Sequence, residues 1–123
     1  KIVSSLKEVE GVAALTFWAD HGEEVFDVKD FKGHGPDGVT ASMFEVPFIF
    51  WRNQTYKSTF TETDNVISKH TESPIMLDDF FHIAQCFIPV DSDLVLKERS
   101  LCQAEYSVKT RLVYGQDYDK GLK

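Results

Sequence analysis

The hydrophobic pattern has one dominant feature, a nearly unbroken apolar run from Val12 to Ala19 that ends at Asp20-His21-Gly22-Glu23. Apolar residues on successive positions, with Val, Phe, Trp and a single Thr among them, predict a strand buried on both faces, as in a parallel sheet. Before the run, Ile2, Val3, Leu6 and Val9 recur at helical spacing, and Gly11 supplies a helix stop. A helix leading into a buried strand is half of a crossover unit, which points to an α/β fold.

The pattern is weaker downstream. Glu24 to Ala41 is rich in Gly, Asp and Pro and predicts a long loop, with Val25, Phe26, Val28 and Phe31 tucked beneath it. A loop of that length beside a strand end is more often functional than a spacer. Glu45 to Trp51 predicts a second strand, with Pro47 at its first residue or on an edge because it cannot donate to a ladder. Asn53-Gln54-Thr55 has the N-glycosylation pattern, which matters only in a eukaryotic secreted protein. Tyr56 to His70 gives a marginal helix with a break expected near Thr63-Asp64. A stronger helix is predicted from Ser73-Pro74 to Pro89, with Leu77, Phe80, Phe81, Ala84, Phe87 and Ile88 as its apolar stripe. Phe80, Phe81, Ala84 and Phe87 are expected to pack it on the sheet. Asp91 to Ser100 is a charged connection. Ala104 to Val108 and Thr110 to Tyr114 predict two late strands, and Gly115 onward a polar tail.

Composition narrows the function classes. The chain has 123 residues, one domain or a piece of one, and 42% hydrophobic content with ten Phe residues can fill an aromatic core. The net charge of −7 argues against a nucleic-acid surface and against electrostatic binding to anionic lipid. A phosphate substrate stays possible, because a bound metal supplies local positive charge. No segment approaches a membrane span, and no signal peptide is visible. Cys86 and Cys102 are compatible with one disulfide or with two isolated thiols.

Asp20 and His21 follow a buried strand directly, where open α/β sheets place their ligands. The ordinary alternative is a turn with Asp20 as a helix cap and His21 exposed. His34 sits between Gly33 and Gly35 and, taken alone, reads as a solvated imidazole. His82 reads as a hydrogen-bonded structural residue on a packed helix. Asp20, His21 and His34 are the candidate metal ligands, since zinc takes imidazole and carboxylate donors. They are expected to converge at one end of a parallel sheet. None of the Ser and Thr residues carries the local signature of a nucleophile.

The order of these motifs resembles the C-terminal part of the sulfatase family within the alkaline phosphatase superfamily. Asp-His-Gly-Glu after an apolar strand, His-Gly in the loop, Val-Pro-Phe-Ile-Phe-Trp and Asp-Phe-Phe-His on a helix are most similar to the phosphoethanolamine transferases that modify bacterial surface glycolipids. The resemblance covers about residues 1 to 90, and Tyr114 with Tyr118-Asp119 matches a terminal Tyr-Asp segment of some members. It implies an alkaline-phosphatase-like sandwich with a mainly parallel sheet flanked by helices. Asp20 and His21 match the pair that binds the principal zinc, His34 matches a histidine on the substrate phosphate or a second zinc, and Glu23 matches the acid that orders the turn. His82 matches the histidine of Phe-His-Thr, although Ile83 replaces the Thr.

The resemblance further implies that residues 1–123 are the C-terminal portion of the catalytic domain, with the nucleophilic Thr and an acidic ligand upstream of Lys1. The whole enzyme would be anchored in the inner membrane with its catalytic domain in the periplasm, while this piece would be soluble. Zinc, as one or two ions, would be the cofactor, with a phospholipid donor and a glycolipid acceptor as partners. The piece alone is expected to bind zinc weakly, to lack transfer activity, and to self-associate through an exposed apolar edge. The alternatives are a sulfatase or phosphodiesterase of the same superfamily, or a non-catalytic α/β module.

Overall fold

A computed structural model describes residues 1–35, 38–88 and 92–122. In chain order these form α1 (Ile2–Leu6), β1 (Ala14–Trp18), β2 (Glu24–Val25), β3 (Lys32–Gly33), a 3-10 turn at Ala41–Met43, β4 (Phe48–Arg52), α2 (Gln54–Thr59) and α3 (Thr61–Lys69). There follow a 3-10 turn at Leu77–Asp79, α4 (Phe80–Ile83), 3-10 turns at Ala84–Cys86 and Lys97–Arg99, β5 (Leu112–Val113), β6 (Gln116–Asp117) and α5 (Tyr118–Gly121). The chain divides into two compact units, one of residues 1–16 and 49–108, the other of residues 17–48 and 109–123.

The first unit is held by an aromatic core. Tyr56 is fully buried, its hydroxyl donating to the Cys86 carbonyl, and its ring meets Phe50 and Phe60 edge-on at 5.8 and 5.0 Å. Phe50 and Phe80 both contact Phe87, at 5.1 and 6.0 Å between centroids. Asn53 joins the strands to the helices. Its Oδ1 accepts from the amides of Ala13 and Tyr56, capping α2, and its Nδ2 donates to the Gly11 carbonyl. A side chain bonded on both amide atoms and buried is closed to a glycan, whatever the triplet pattern. The Asn53 amide donates to the Ala13 carbonyl, which places the end of β4 beside the start of β1 and runs the pair antiparallel. Cys86 and Cys102 form a disulfide with Cα atoms 5.3 Å apart.

Several expectations change here. The strand pairs among the described residues are antiparallel, so the mainly parallel sheet is not seen within them. The run at Val12–Ala19 is not buried on both faces: Phe17 is 54% exposed and Val12 is open as well, and β1 has β4 as its single partner strand among the described residues. The helical break falls at Phe60, whose backbone at φ −116°, ψ 51° lies outside the helical region, rather than at Thr63-Asp64. The later helical segment starts at Leu77, not Ser73, and alternates 3-10 and α geometry, which rotates the stripe. Ile83 and Cys86 turn inward in consequence, while Phe81 is 58% exposed and Ile88 is exposed. Pro89, expected to end that segment, lies outside the described residues. His82 is buried, and its Nδ1 accepts the Leu96 amide at 3.1 Å, a structural role.

The second unit contains two hairpins. β2 and β3 pair antiparallel, with Glu24 opposite Gly33 and Val25 opposite Lys32. This hairpin and its loop leave Val25, Phe26 and Val28 exposed rather than tucked beneath. β5 and β6 close a two-residue turn at Tyr114-Gly115, both at positive φ (48° and 78°), the primed turn that matches strand twist. Residues 104–105 form a turn and 106–108 have no regular structure, so no strand forms there. The polar tail is folded in, because Tyr118 is buried, donates its hydroxyl to Glu45, and carries the Arg111 guanidinium over its ring at 4.6 Å. No helix of the described residues is long and apolar enough to cross a membrane.

Candidate metal centre

The Asp20-His21-Gly22-Glu23 turn lies in the second unit and is shaped by a close backbone approach. The Gly22 amide donates to the Met43 carbonyl at 2.9 Å, and a Cβ at Gly22 would lie 2.0 Å from the Ser42 carbonyl oxygen. Glycine is needed there for space, not for an unusual φ. Gly33, by contrast, adopts φ +135° immediately before His34, a conformation that side-chain-bearing residues rarely take.

Three side chains meet at this turn. His34 Nδ1 lies 2.8 Å from Glu23 Oε1, His21 Nδ1 lies 3.7 Å from the same oxygen, and the two imidazole centroids are 3.8 Å apart. One donor atom from each of His21, Glu23 and His34 falls within 4.8 Å of the others, and all three groups are open to solvent. The strand register explains the meeting: continuing the Glu24–Gly33 rung outward by one residue sets Glu23 opposite His34. Asp20 stands at the rim, its side chain 91% exposed and its Oδ2 3.8 Å from His21 Nε2. Of the three residues expected from the sequence, the structure clusters His21 with His34, keeps Asp20 beside His21, and adds Glu23.

The hydrogen bonds assign the tautomers. A carbonyl only accepts, so His21 Nδ1, 3.0 Å from the Gly22 oxygen, carries a proton, and the neutral ring then has its lone pair at Nε2. A carboxylate likewise only accepts, so His34 donates from Nδ1 to Glu23 and also presents Nε2. The Gly22 carbonyl raises the His21 pKa above its ordinary value, burial opposes it, and the Asp20 and Glu23 charges add to the rise. Two imidazoles with a carboxylate are donor types that suit zinc. The residues therefore fit the ion that the sequence implies.

Glu24 had no signal in the sequence as a site residue. It is fully buried, its Oε1 accepts the amides of Asp27 and Val28, and its Oε2 accepts the Ser42 hydroxyl at 3.0 Å. The Val28 amide, with Thr40, Ser42 and Asp27, holds its pKa down to about 2 against the opposing effect of burial. The readable part was local: an acid followed three and four residues on by free amides of a turn.

No protein-family model matches the chain. Phosphoethanolamine transferase EptC of Escherichia coli O18:K1:H7 (strain RS218 / NMEC) is 24% identical over 121 residues, covering 97% of this chain and 20% of the relative. Phosphoethanolamine transferase CptA of Salmonella typhimurium is 26% identical over 110 residues, covering 86% of this chain and 18% of the relative. The solved C-terminal periplasmic domain of EcEptC from Escherichia coli matches with a TM-score of 0.72 at 24% identity, covering 89% of this chain and 30% of that one. A second structure of that domain is a complex with Zn. These relatives are named phosphoethanolamine transferases, and the fold of this chain is similar to part of the EcEptC periplasmic domain. The chain spans about one fifth of the length of the curated relatives it matches.

Proposed function

We propose that these 123 residues are the C-terminal part of the catalytic domain of a zinc-dependent phosphoethanolamine transferase acting on a bacterial surface glycolipid. The observation that carries the reading is the meeting of His21, Glu23 and His34 at the Asp-His-Gly-Glu turn. His21 presents Nε2 to the ion with Asp20 beside it, and Glu23 orients His34 through the 2.8 Å hydrogen bond. His34 serves either as a ligand of a second ion through Nε2 or, in its doubly protonated form, as a donor to the substrate phosphate. When bound, zinc would supply Lewis-acid stabilisation of the phosphoryl charge.

The remaining parts of the reading rest on the family resemblance of the sequence motifs. The nucleophilic threonine and an acidic ligand belong to the portion of the enzyme that this chain does not span. The larger sheet that completes β1 belongs there too, in an alkaline-phosphatase-like sandwich. The donor is a phospholipid, the acceptor a glycolipid, and the site faces the periplasm from a protein anchored in the inner membrane. Without that portion, these residues bind zinc weakly, have no transfer activity, and associate through the exposed apolar residues of β1.

The test uses the full-length protein. Zinc content and transfer from a fluorescent phosphatidylethanolamine are measured for wild type, His21→Ala and His34→Ala. Zinc-dependent transfer that falls at least 100-fold in His21→Ala is the expected result. Hydrolysis of an aryl sulfate without phosphoethanolamine transfer would move the protein to the sulfatases. Full activity in both variants would remove these histidines from the site.

A further inference from the structure

We propose that Glu24 is a positioning residue: its buried carboxylate fixes the strand register and the turn that bring Glu23, His34 and His21 together. Glu23 and Glu24 are successive residues at the start of a strand, so their side chains point to opposite faces. One faces the solvent-exposed cluster, the other the interior of the unit. A buried carboxylate is costly unless every oxygen is bonded, and this one is bonded on both. Oε1 ties down Asp27 and Val28, where the chain leaves β2. Oε2 holds Ser42, whose own carbonyl is the atom packed against Gly22, while the neighbouring Met43 carbonyl receives the Gly22 amide. The Thr40 hydroxyl bonds Ser42 from the other side at 2.9 Å. One carboxylate thus links the hairpin that carries Glu23 and His34 to the segment that holds the His21 turn.

The consequence for zinc rests on the metal reading above; the consequence for the Glu23–His34 pair does not. Two readouts keep them apart: zinc titration calorimetry, and nitrogen-15 NMR of the His34 ring, which reports the Nδ1–H tautomer without metal. Glu24→Ala is expected to weaken zinc binding by roughly 10–100-fold, the usual cost of losing a supporting hydrogen bond, and to release the His34 tautomer. Glu24→Gln, which still accepts the two amides and can donate to Ser42, is expected to restore both to near wild type. Ser42→Ala, a milder change that removes the hydroxyl bridging Glu24 Oε2 and Thr40 but leaves the two Oε1 bonds in place, keeps the test open if Glu24→Ala does not fold. It is expected to loosen the same tautomer. A wild-type His34 tautomer in folded Glu24→Ala or Ser42→Ala would overturn the proposal. Wild-type protein without zinc affinity, but with the tautomer released in these variants, would overturn the metal reading and leave the positioning role standing.

Discussion

The backbone of Ser42 touches the position where Gly22 would carry a side chain: its carbonyl oxygen lies 2.0 Å from the ideal Cβ. Backbone cannot step aside as a flexible side chain can. Gly22→Ala must therefore push the Asp20–Glu23 turn away from residues 42–45 and break the Gly22–Met43 hydrogen bond. A destabilisation of about 1–3 kcal/mol is expected, the range for overpacking, together with weaker zinc binding. Urea denaturation and zinc titration of the variant check both effects.

Tyr118 gives a prediction in pH. Burial, and then its hydrogen bond to the Glu45 carboxylate, push the phenol up to about 12. A folded-state pKa above the unfolded value means that the neutral phenol stabilises the fold. That contribution is complete below pH 10, near the ordinary tyrosine value, and is lost as pH rises toward 12. Absorbance titration near 295 nm should show a late tyrosine step that Tyr118→Phe removes. The variant should also flatten the loss of stability across the same window.

The helical segment at 77–86 separates two neighbours of similar hydrophobicity. Phe81 is exposed, so Phe81→Ala should change stability by less than about 0.5 kcal/mol. Ile83 is 1% exposed, and Ile83→Ala should cost about 2–5 kcal/mol. Denaturant midpoints of the two variants measure the contrast. Equal shifts would mean that the segment keeps the regular helical phase implied by its apolar spacing.

The Cys86–Cys102 disulfide closes a loop with a sequence separation of 16, for which chain entropy gives roughly 3 kcal/mol. Reduction should lower the unfolding midpoint by a corresponding amount. The paired variant Cys86→Ala/Cys102→Ala should match the reduced protein. A midpoint insensitive to reductant would show that the two thiols are not joined.

What was legible in the sequence was whatever depends on neighbours along the chain. The apolar run into Asp20-His21-Gly22-Glu23, strand β4 after Pro47, and helical structure around Phe80 all follow from local pattern, and the order of these motifs pointed to the transferases. The tertiary structure alone decided which groups face one another. Glu23 reaches His34 only because the β2–β3 register opposes them, 11 residues apart. Tyr118 finds Glu45 across 73 residues, which turned an apparent tail into a buried element. Glu24 reads like Glu23 in sequence, yet the two point to opposite faces and only one is buried. Hydrophobic spacing encodes which face of an element is covered, but it does not name the residue on the other side. That partner is set by register and by backbone approaches such as Ser42 against Gly22, which no local pattern records.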